Sequence, residues 1–140
     1  MKKDVFITVQ GFQTVEGEQD QVELMTTGRF YRKDGLYYLT YEETEATGFA
    51  GCRTTLKVGP GRKVTMTRFG ANRSQLIVED GVRHQCSYDT GYGSITIGVM
   101  GSHFASQLTD QGGSLEFGYS LDIDTCVASE NRVRIQVQEQ

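Results

Sequence analysis

Apolar and polar residues alternate with a period of two along most of the chain. Such a pattern predicts β-strands that bury one face and expose the other, because successive side chains of a strand point to opposite sides of the sheet. The alternation is most regular near the C-terminal end, from Leu115 to Ile123 and from Val133 to Val137. Earlier runs with the same period have the apolar members Val5, Ile7 and Val9; Leu56 and Val58; Val64 and Met66; and Ile95, Ile97 and Val99.

Glycine-containing turn signals separate these runs and predict hairpins between neighbours in the sequence. An all-β fold follows: a single antiparallel, mainly up-and-down closed β-barrel of about 8–10 strands, because short connections favour a meander and closure removes exposed strand edges. We expect residues 1–140 to form this one β-barrel domain. The turn signals are Asp34-Gly35, Gly59-Pro60-Gly61, Asp80-Gly81, Gly91-Tyr92-Gly93, Gln111-Gly112-Gly113 and Ser129-Glu130-Asn131.

Register can be argued for the hairpin at Asp80-Gly81. A two-residue loop would pair Glu79 with Val82, whereas a three-residue loop pairs Val78 with Val82. We favour the three-residue loop because it puts more apolar side chains on one face, and His84 then faces inward. Two stretches lack strand periodicity and are expected to be loops, short turns or bulged corners, namely 45–53 and 106–113.

Charge and cysteine content describe an acidic chain from a reducing compartment. Lys and Arg number 14 against 18 Asp and Glu, a formal net charge of −4. No apolar run approaches the ~20 residues of a membrane-spanning helix, and the N-terminal residues lack the apolar core of a signal peptide. Cys52, Cys86 and Cys126 are an odd number without a C-x-x-C pair, which favours a cytoplasmic protein with reduced thiols.

Catalytic and cofactor motifs do not emerge from the sequence. His84 and Cys86 point to one face of their predicted strand, but a packed Cys and a hydrogen-bonded His explain this pair without catalysis or zinc. The Gly59-Pro60-Gly61 segment lies between two strands, so it is a tight turn and not a phosphate-binding loop. We therefore expect a non-enzymatic protein with no cofactor and no metal.

A basic stretch spans Arg53 to Arg73 without an acidic residue. Nucleic-acid binding usually combines a basic domain with stacking aromatic side chains, and this domain is acidic overall. We interpret the stretch as a solvated face and do not expect a nucleic-acid partner. Its basic members are Arg53, Lys57, Arg62, Lys63, Arg68 and Arg73.

Arg68 and Glu43 stand out because alternation carries both to the apolar side of their strands. A buried charge must be paired, so we expect an internal ion pair between Arg68 and a carboxylate. Two interpretations stay open. The pair is either a structural salt bridge at the rim or plug of the barrel, or Arg68 anchors the head group of an anionic ligand.

The residues also resemble a family, the YwiB-like family of uncharacterised bacterial β-barrel proteins. The likeness covers nearly the whole chain and implies a closed antiparallel barrel of calycin-like, or lipocalin-like, architecture in a bacterial cytoplasmic protein. It implies no activity. The motifs that carry it are Tyr37-x-Leu39-x-Tyr41-x-Glu43, Thr54-Thr55-Leu56-Lys57-Val58 with Arg68-Phe69-Gly70, Leu115-x-Phe117-x-Tyr119-x-Leu121, and Ser129-x-Asn131-x-Val133-x-Ile135.

Two function classes remain. Motivated by the family likeness, we expect a small apolar or anionic amphipathic ligand inside the barrel, whose polar contacts are Arg68, Tyr41, Glu43, Tyr88 and Tyr119. The alternative is a solid barrel that binds a protein, or less readily RNA, through the basic strand pair or through outward-facing apolar side chains. Those on the face opposite the core are Phe6, Phe12, Tyr31, Met100 and Phe104. The oligomeric state stays open.

Overall fold

A computed structural model of the protein describes residues 2–44, 50–70, 73–89, 93–123 and 126–140. These residues form ten β-strands. The strands are β1 (Lys3–Val15), β2 (Glu18–Lys33), β3 (Leu36–Glu42), β4 (Cys52–Gly59), β5 (Lys63–Gly70), β6 (Ser74–Glu79), β7 (Arg83–Asp89), β8 (Ser94–Thr109), β9 (Gly112–Ile123) and β10 (Cys126–Glu139). The described residues include no helix with the length and hydrophobicity of a membrane span.

Each strand pairs antiparallel with its neighbour in the sequence, and β1 pairs with β10 to close the barrel. The closing ladder is long, since Val5 lies opposite Glu139 and Thr14 lies opposite Glu130. An all-β, up-and-down closed barrel is therefore confirmed.

Large apolar side chains fill one half of the barrel interior. Phe30, Phe117 and Leu56 are each at most 1% exposed and lie on the inward-facing positions that the alternation predicts. Gly28 contrasts with these large residues, because the barrel wall leaves no room there for a side chain. A Cβ at this position would lie 2.2 Å from the carbonyl oxygen of Thr40. A small residue is thus needed where the wall is closest.

A β-bulge in β8 changes which residues face inward. The register between β8 and β9 shifts between Ser102 and Ala105, and His103 adopts a positive φ of 51°. Such a bulge turns the following side chains to the other face. Phe104 therefore packs against the core, and the expectation that it faces outward was wrong.

Three local predictions need correction. Residues Ser106–Thr109 continue β8 as a mostly exposed strand paired with β9, so they form no loop. Residues Ser129–Asn131, expected as a turn, lie within β10 just beyond a register shift. Of the 45–53 stretch, Cys52 and Arg53 belong to β4, while 45–49 lie outside the described residues, as does the Gly91-Tyr92 part of a predicted turn.

The seam between β6 and β7 is the most sparsely paired contact of the barrel. Among residues 74–89, the pairs are Ser74 with Tyr88 and Glu79 with Val82. The loop at Asp80-Gly81 thus has two residues, and the preferred three-residue loop was wrong. The N–H of Ile77 donates to Sγ of Cys86 at 3.4 Å, so a thiol takes the place of a backbone acceptor in mid-seam.

The β6–β7 turn contacts the β4–β5 turn and β8, and these contacts compensate for the sparse pairing of the seam. The N–H of Gly81 donates to the carbonyl of Gly101 at 3.0 Å, and Asp80 forms an isolated parallel bridge with the same glycine. Arg62 in the β4–β5 turn holds Asp80 by a 2.6 Å ion pair. The turn is therefore fixed to the wall from both sides.

A second bridge crosses the outside of β8. Arg83 on β7 donates two hydrogen bonds to Asp122 on β9, of 3.0 and 2.6 Å, and they pass directly over Gly98. These hydrogen bonds hold the pKa of Asp122 below its usual value. Because β7 has few hydrogen bonds to β6, this bridge strengthens its attachment to β8 and β9 on the other side.

We predict that Gly101→Ala destabilises the protein by about 1–3 kcal/mol, because its Cβ would lie 2.4 Å from the backbone oxygen of Glu79 and backbone cannot yield as a side chain can. Gly59→Ala is the control: its Cβ would meet the flexible end of Leu36 at 3.0 Å, so the change stays within about 0.5 kcal/mol. Urea unfolding measures both. Equal free energies of unfolding for the two variants would contradict the close approach of the Glu79 backbone to Gly101.

Candidate ligand-binding cup

The described residues leave a cavity at one end of the barrel and are packed at the other. A cavity of about 260 Å³, here called the cup, occupies the end at which β3, β5 and β9 finish. At the opposite end, the space between Phe30, Leu115 and Ile135 amounts to about 10 Å³. The cup therefore has a closed floor and does not continue as a channel. Its lining residues are Val9, Gly11, Phe12, Gln13, Asp20, Val22, Tyr41, Glu43, Met66, Arg68, Leu76, Tyr119, Leu121, Asn131, Arg132 and Val133.

Four of the five predicted ligand contacts meet in this cup. Tyr41, Glu43, Arg68 and Tyr119 all line it, although they come from three different strands and the residue after β3. The fifth, Tyr88, belongs to β7 and its backbone pairs with Ser74, but its side chain lies outside the described residues.

Strand register explains why these residues converge. Tyr41 lies opposite Thr54, and Thr54 lies opposite Arg68, so one cross-strand row joins the three. Each is two residues beyond a core position in its own strand, which is the period at which side chains return to the same face. Glu43 lies next to this row, directly after the end of β3. The hydrogen bond from its N–H to the carbonyl of Cys52, at 2.9 Å, fixes its backbone.

Arg68 and Glu43 form the ion pair predicted for the interior. Nη2 of Arg68 lies 3.8 Å from Oε2 of Glu43, and their side chains are 12% and 3% exposed. The distance exceeds that of a charge-assisted hydrogen bond, about 2.7–2.9 Å, between these two atoms. Opposite charges thus stand side by side in the wall of the cup.

Tyr41 completes the polar cluster. Burial raises the pKa of its hydroxyl, and the negative charge of Glu43, together with a side-chain hydrogen bond to Glu43, raises it further, while Arg68 acts in the opposite direction. The phenol therefore stays neutral and serves as a hydrogen-bond partner of the carboxylate.

Thr54 contributes a buried hydroxyl to this row. Its side chain is fully buried between Tyr41 and Arg68 in register, and among the described residues its Oγ1 makes no hydrogen bond. Leaving a buried hydroxyl unsatisfied costs about 1–3 kcal/mol.

Sequence reasoning missed the polar residues of the cup's far wall. The turn signal predicts Asn131 in a turn, no motif singles out Arg132, and Asp20 stands in a stretch of β2 that is exposed on both faces. The position of Asn131 follows from its pairing with Tyr119, whose carbonyl accepts a 3.5 Å hydrogen bond from Nδ2. Only the register of β9 with β10 reveals this.

Carboxylates pair with half of the basic residues of the stretch. Arg53 pairs with Glu42, Arg62 with Asp80 and Arg68 with Glu43. These partners come from neighbouring strands and turns outside the stretch, which is why the sequence alone shows an excess of positive charge.

His84 and Cys86 share a face, as their spacing predicts, but His84 is engaged elsewhere. Its Nε2 lies 2.9 Å from Oε1 of Glu79. Cys86 is 7% exposed and contacts the backbone of Ile77. Within the described part of the chain, His, Cys, Asp and Glu form no group of three or more that could hold a metal ion.

Among the expected outward apolar residues, Phe6 and Met100 are exposed, at 53% and 38%. Phe12 and Tyr31 are half-buried: Phe12 lines the cup, and Tyr31 stacks on Tyr38 with a ring-centroid distance of 4.8 Å. The outer aromatic residues are thus dispersed around the barrel rather than gathered in one stripe.

Comparison with known proteins identifies the family. The family model described as a domain of unknown function, DUF1934, matches residues 7–135. The chain belongs to the DUF1934 family. It is 26% identical over 125 residues to the uncharacterized β-barrel protein YwiB of Bacillus subtilis (strain 168), covering 88% of this chain and 86% of that protein.

The crystal structure of the ywiB protein from Bacillus subtilis matches this DUF1934 chain with a TM-score of 0.77 at 20% sequence identity, over 96% of this chain and 92% of that one. The resemblance to YwiB-like proteins is confirmed, and so is the shared barrel. The name of the curated relative states a fold, and neither printed name states an activity.

The raised pKa of Tyr41 predicts a stability loss at high pH. An unfolded tyrosine ionises near pH 10.0, whereas Tyr41 stays protonated in the fold, so its contribution is complete below that pH and declines above it. Above pH 10 the free energy of unfolding of the wild type should fall up to about 1.4 kcal/mol per pH unit more steeply than that of Tyr41→Phe. Urea unfolding between about pH 9 and 11 measures both slopes. Parallel slopes would contradict the burial of a neutral Tyr41.

Proposed function

We propose that this protein binds one small amphipathic molecule in the cup, without catalysis and without a cofactor. The apolar part of the ligand lies against the aliphatic lining, and its polar head contacts Arg68, Glu43, Tyr41 and Tyr119. The convergence of these four residues on one cavity carries the proposal. Binding of a small molecule inside the barrel, as in calycin-like proteins, is the role we propose for it in the bacterial cytoplasm. The three cysteines, all within the described residues, form no disulfide, which supports this compartment.

The size of the cup limits the ligand. Its 260 Å³ is below the ~300–1,000 Å³ of typical small-molecule sites and corresponds to the volume of about nine water molecules. A short aliphatic chain with one head group fits this space, and a long acyl chain does not. Because the floor is packed, the ligand enters and leaves at the same end.

The energetics of the Arg68–Glu43 pair support a binding role. Replacing a buried ion pair with apolar residues is often neutral or stabilising, so stability alone is a weak reason to keep charges in a barrel wall. A ligand head group that hydrogen-bonds to Arg68 and Glu43, which both line the cup, offsets the cost of burying their charges.

Binding is favoured over a reaction by the composition of the lining. The described residues that form the cup include neither His nor Cys, the usual general base and the strongest nucleophile. The alternative is a protein-interaction module, for which the specific observation is the outer face of β1 and β2. There Phe6 and Met25, on adjacent strands, are 53% and 75% exposed. Nucleic acid is disfavoured because carboxylates already pair with half of the basic stretch.

Native mass spectrometry of gently purified protein tests the proposal. We expect an additional small mass that is lost on unfolding, and we expect Val133→Phe, which fills the cup, to abolish it. Val82→Phe is the matched control, because Val82 is 40% exposed at the opposite end of the barrel. A ligand-free wild type that also fails to bind added short-chain amphiphiles would favour the interaction module instead.

Arg68→Met separates the two roles of the ion pair. Removing one partner of a buried pair destabilises the fold by about 3 kcal/mol, and loss of the anchor should weaken binding of a carboxylate probe such as hexanoate or norleucine at least tenfold. Arg53→Met is the control, since its pair with Glu42 is exposed and contributes about 0–1 kcal/mol. NMR titration and urea unfolding measure both quantities. Unchanged binding by a more stable Arg68→Met variant would mean that the pair is structural.

A further inference from the structure

We infer that the ligand's head group is dipolar, with a carboxylate and an ammonium group side by side, as in an apolar α-amino acid. This inference rests on the proposed function and names the chemical class that the cup takes. It differs from the simpler expectation of an anionic amphiphile.

The charges of the described lining balance. Among these residues two are cationic, Arg68 and Arg132, and two are anionic, Asp20 and Glu43. The described lining therefore brings no net charge that would attract a simple anion or a simple cation. A net-neutral ligand with separated charges complements such a surface best.

The buried Arg68–Glu43 pair imposes the strongest requirement on the charges of the ligand's head group. Arg68 and Glu43 stand 3.8 Å apart between Nη2 and Oε2, with little exposure of either side chain. A lone carboxylate that approached Arg68 would also approach the carboxylate of Glu43, and like charges repel strongly where water is excluded. A lone ammonium group would meet Arg68 in the same way. A head group with both charges on neighbouring carbons pairs with both residues.

The remaining lining selects what is attached to this head group. Met66, Leu76, Leu121 and Val133 present aliphatic surface to the cup and bring no charge. Such a surface favours an aliphatic side chain, since burial of each CH₂ group contributes about 0.8 kcal/mol. With the small volume, this points to a free amino acid the size of leucine, norleucine or methionine.

A matched set of six-carbon probes tests the inference on the intact chain. Norleucine, hexanoate, hexylamine and hexanamide share one aliphatic chain and differ in the head group. By isothermal titration calorimetry we expect norleucine to bind at least tenfold more tightly than hexanoate and hexylamine. Equal or tighter binding of hexanoate, hexylamine or hexanamide would overturn the dipolar head group.

Glu43→Gln isolates the second half of the head group. The variant removes the negative charge and keeps the side-chain shape, so norleucine should lose at least tenfold in affinity while hexanoate gains. Glu42→Gln is the control, because Glu42 precedes Glu43 but pairs with Arg53 on the outer face. An unchanged preference for norleucine in Glu43→Gln would contradict the inference. If this variant fails to fold, the ranking of the four probes on the wild type still decides.

The outcomes distinguish this inference from the proposed function. Preference for hexanoate with a cup-dependent carried mass would leave the proposed function standing and overturn the amino-acid class. Failure of all four probes would also overturn the amino-acid class. A wild type with no carried mass and no probe binding would overturn both.

Discussion

Closure of the sheet on itself is the constraint on which the rest of this structure depends. The pairing of β1 with β10 leaves no free strand edge among the described residues, so every long strand finds a partner on both sides. Closure also fixes the interior. About eight strands enclose just enough space for side chains to fill, and the diameter grows with the number of strands. With ten strands, Phe30, Phe117 and their neighbours fill one half, and the other half remains as the cup.

Closure is also maintained where the ladder is weakest. The β6–β7 seam has few backbone pairs, and the turn at its end is fixed instead to Gly101 on β8 and to Arg62 in the β4–β5 turn. Two glycines in β8 make this arrangement possible, because Gly101 lets the backbone of Glu79 approach and Gly98 lies beneath the Arg83–Asp122 bridge. Absence of a side chain is thus as important here as its presence.

The cup end of the barrel combines costs that a purely structural protein has little reason to carry. A buried ion pair and a neutral buried phenol face one cavity, and an unsatisfied threonine hydroxyl lies beside them in the same cross-strand row. Each costs stability unless another group satisfies it. Their concentration in the wall at the cup end, beside an aliphatic lining and away from the packed end, is the arrangement typical of a small ligand site with few convergent polar groups.

The sequence by itself determined the all-β class, most strand positions and the inward direction of Tyr41, Glu43, Arg68 and Tyr119, because the alternation of period two is a local property of the chain. It misplaced Phe104, Asn131 and the Asp80-Gly81 register, since bulges and turn geometry shift the alternation without a clear local signal. Tertiary structure decided the pairing of Arg68 with Glu43, the other carboxylates that pair with the basic stretch, and the size of the cup. They depend on which strands become neighbours and on how the barrel closes, and these contacts join residues far apart in the chain.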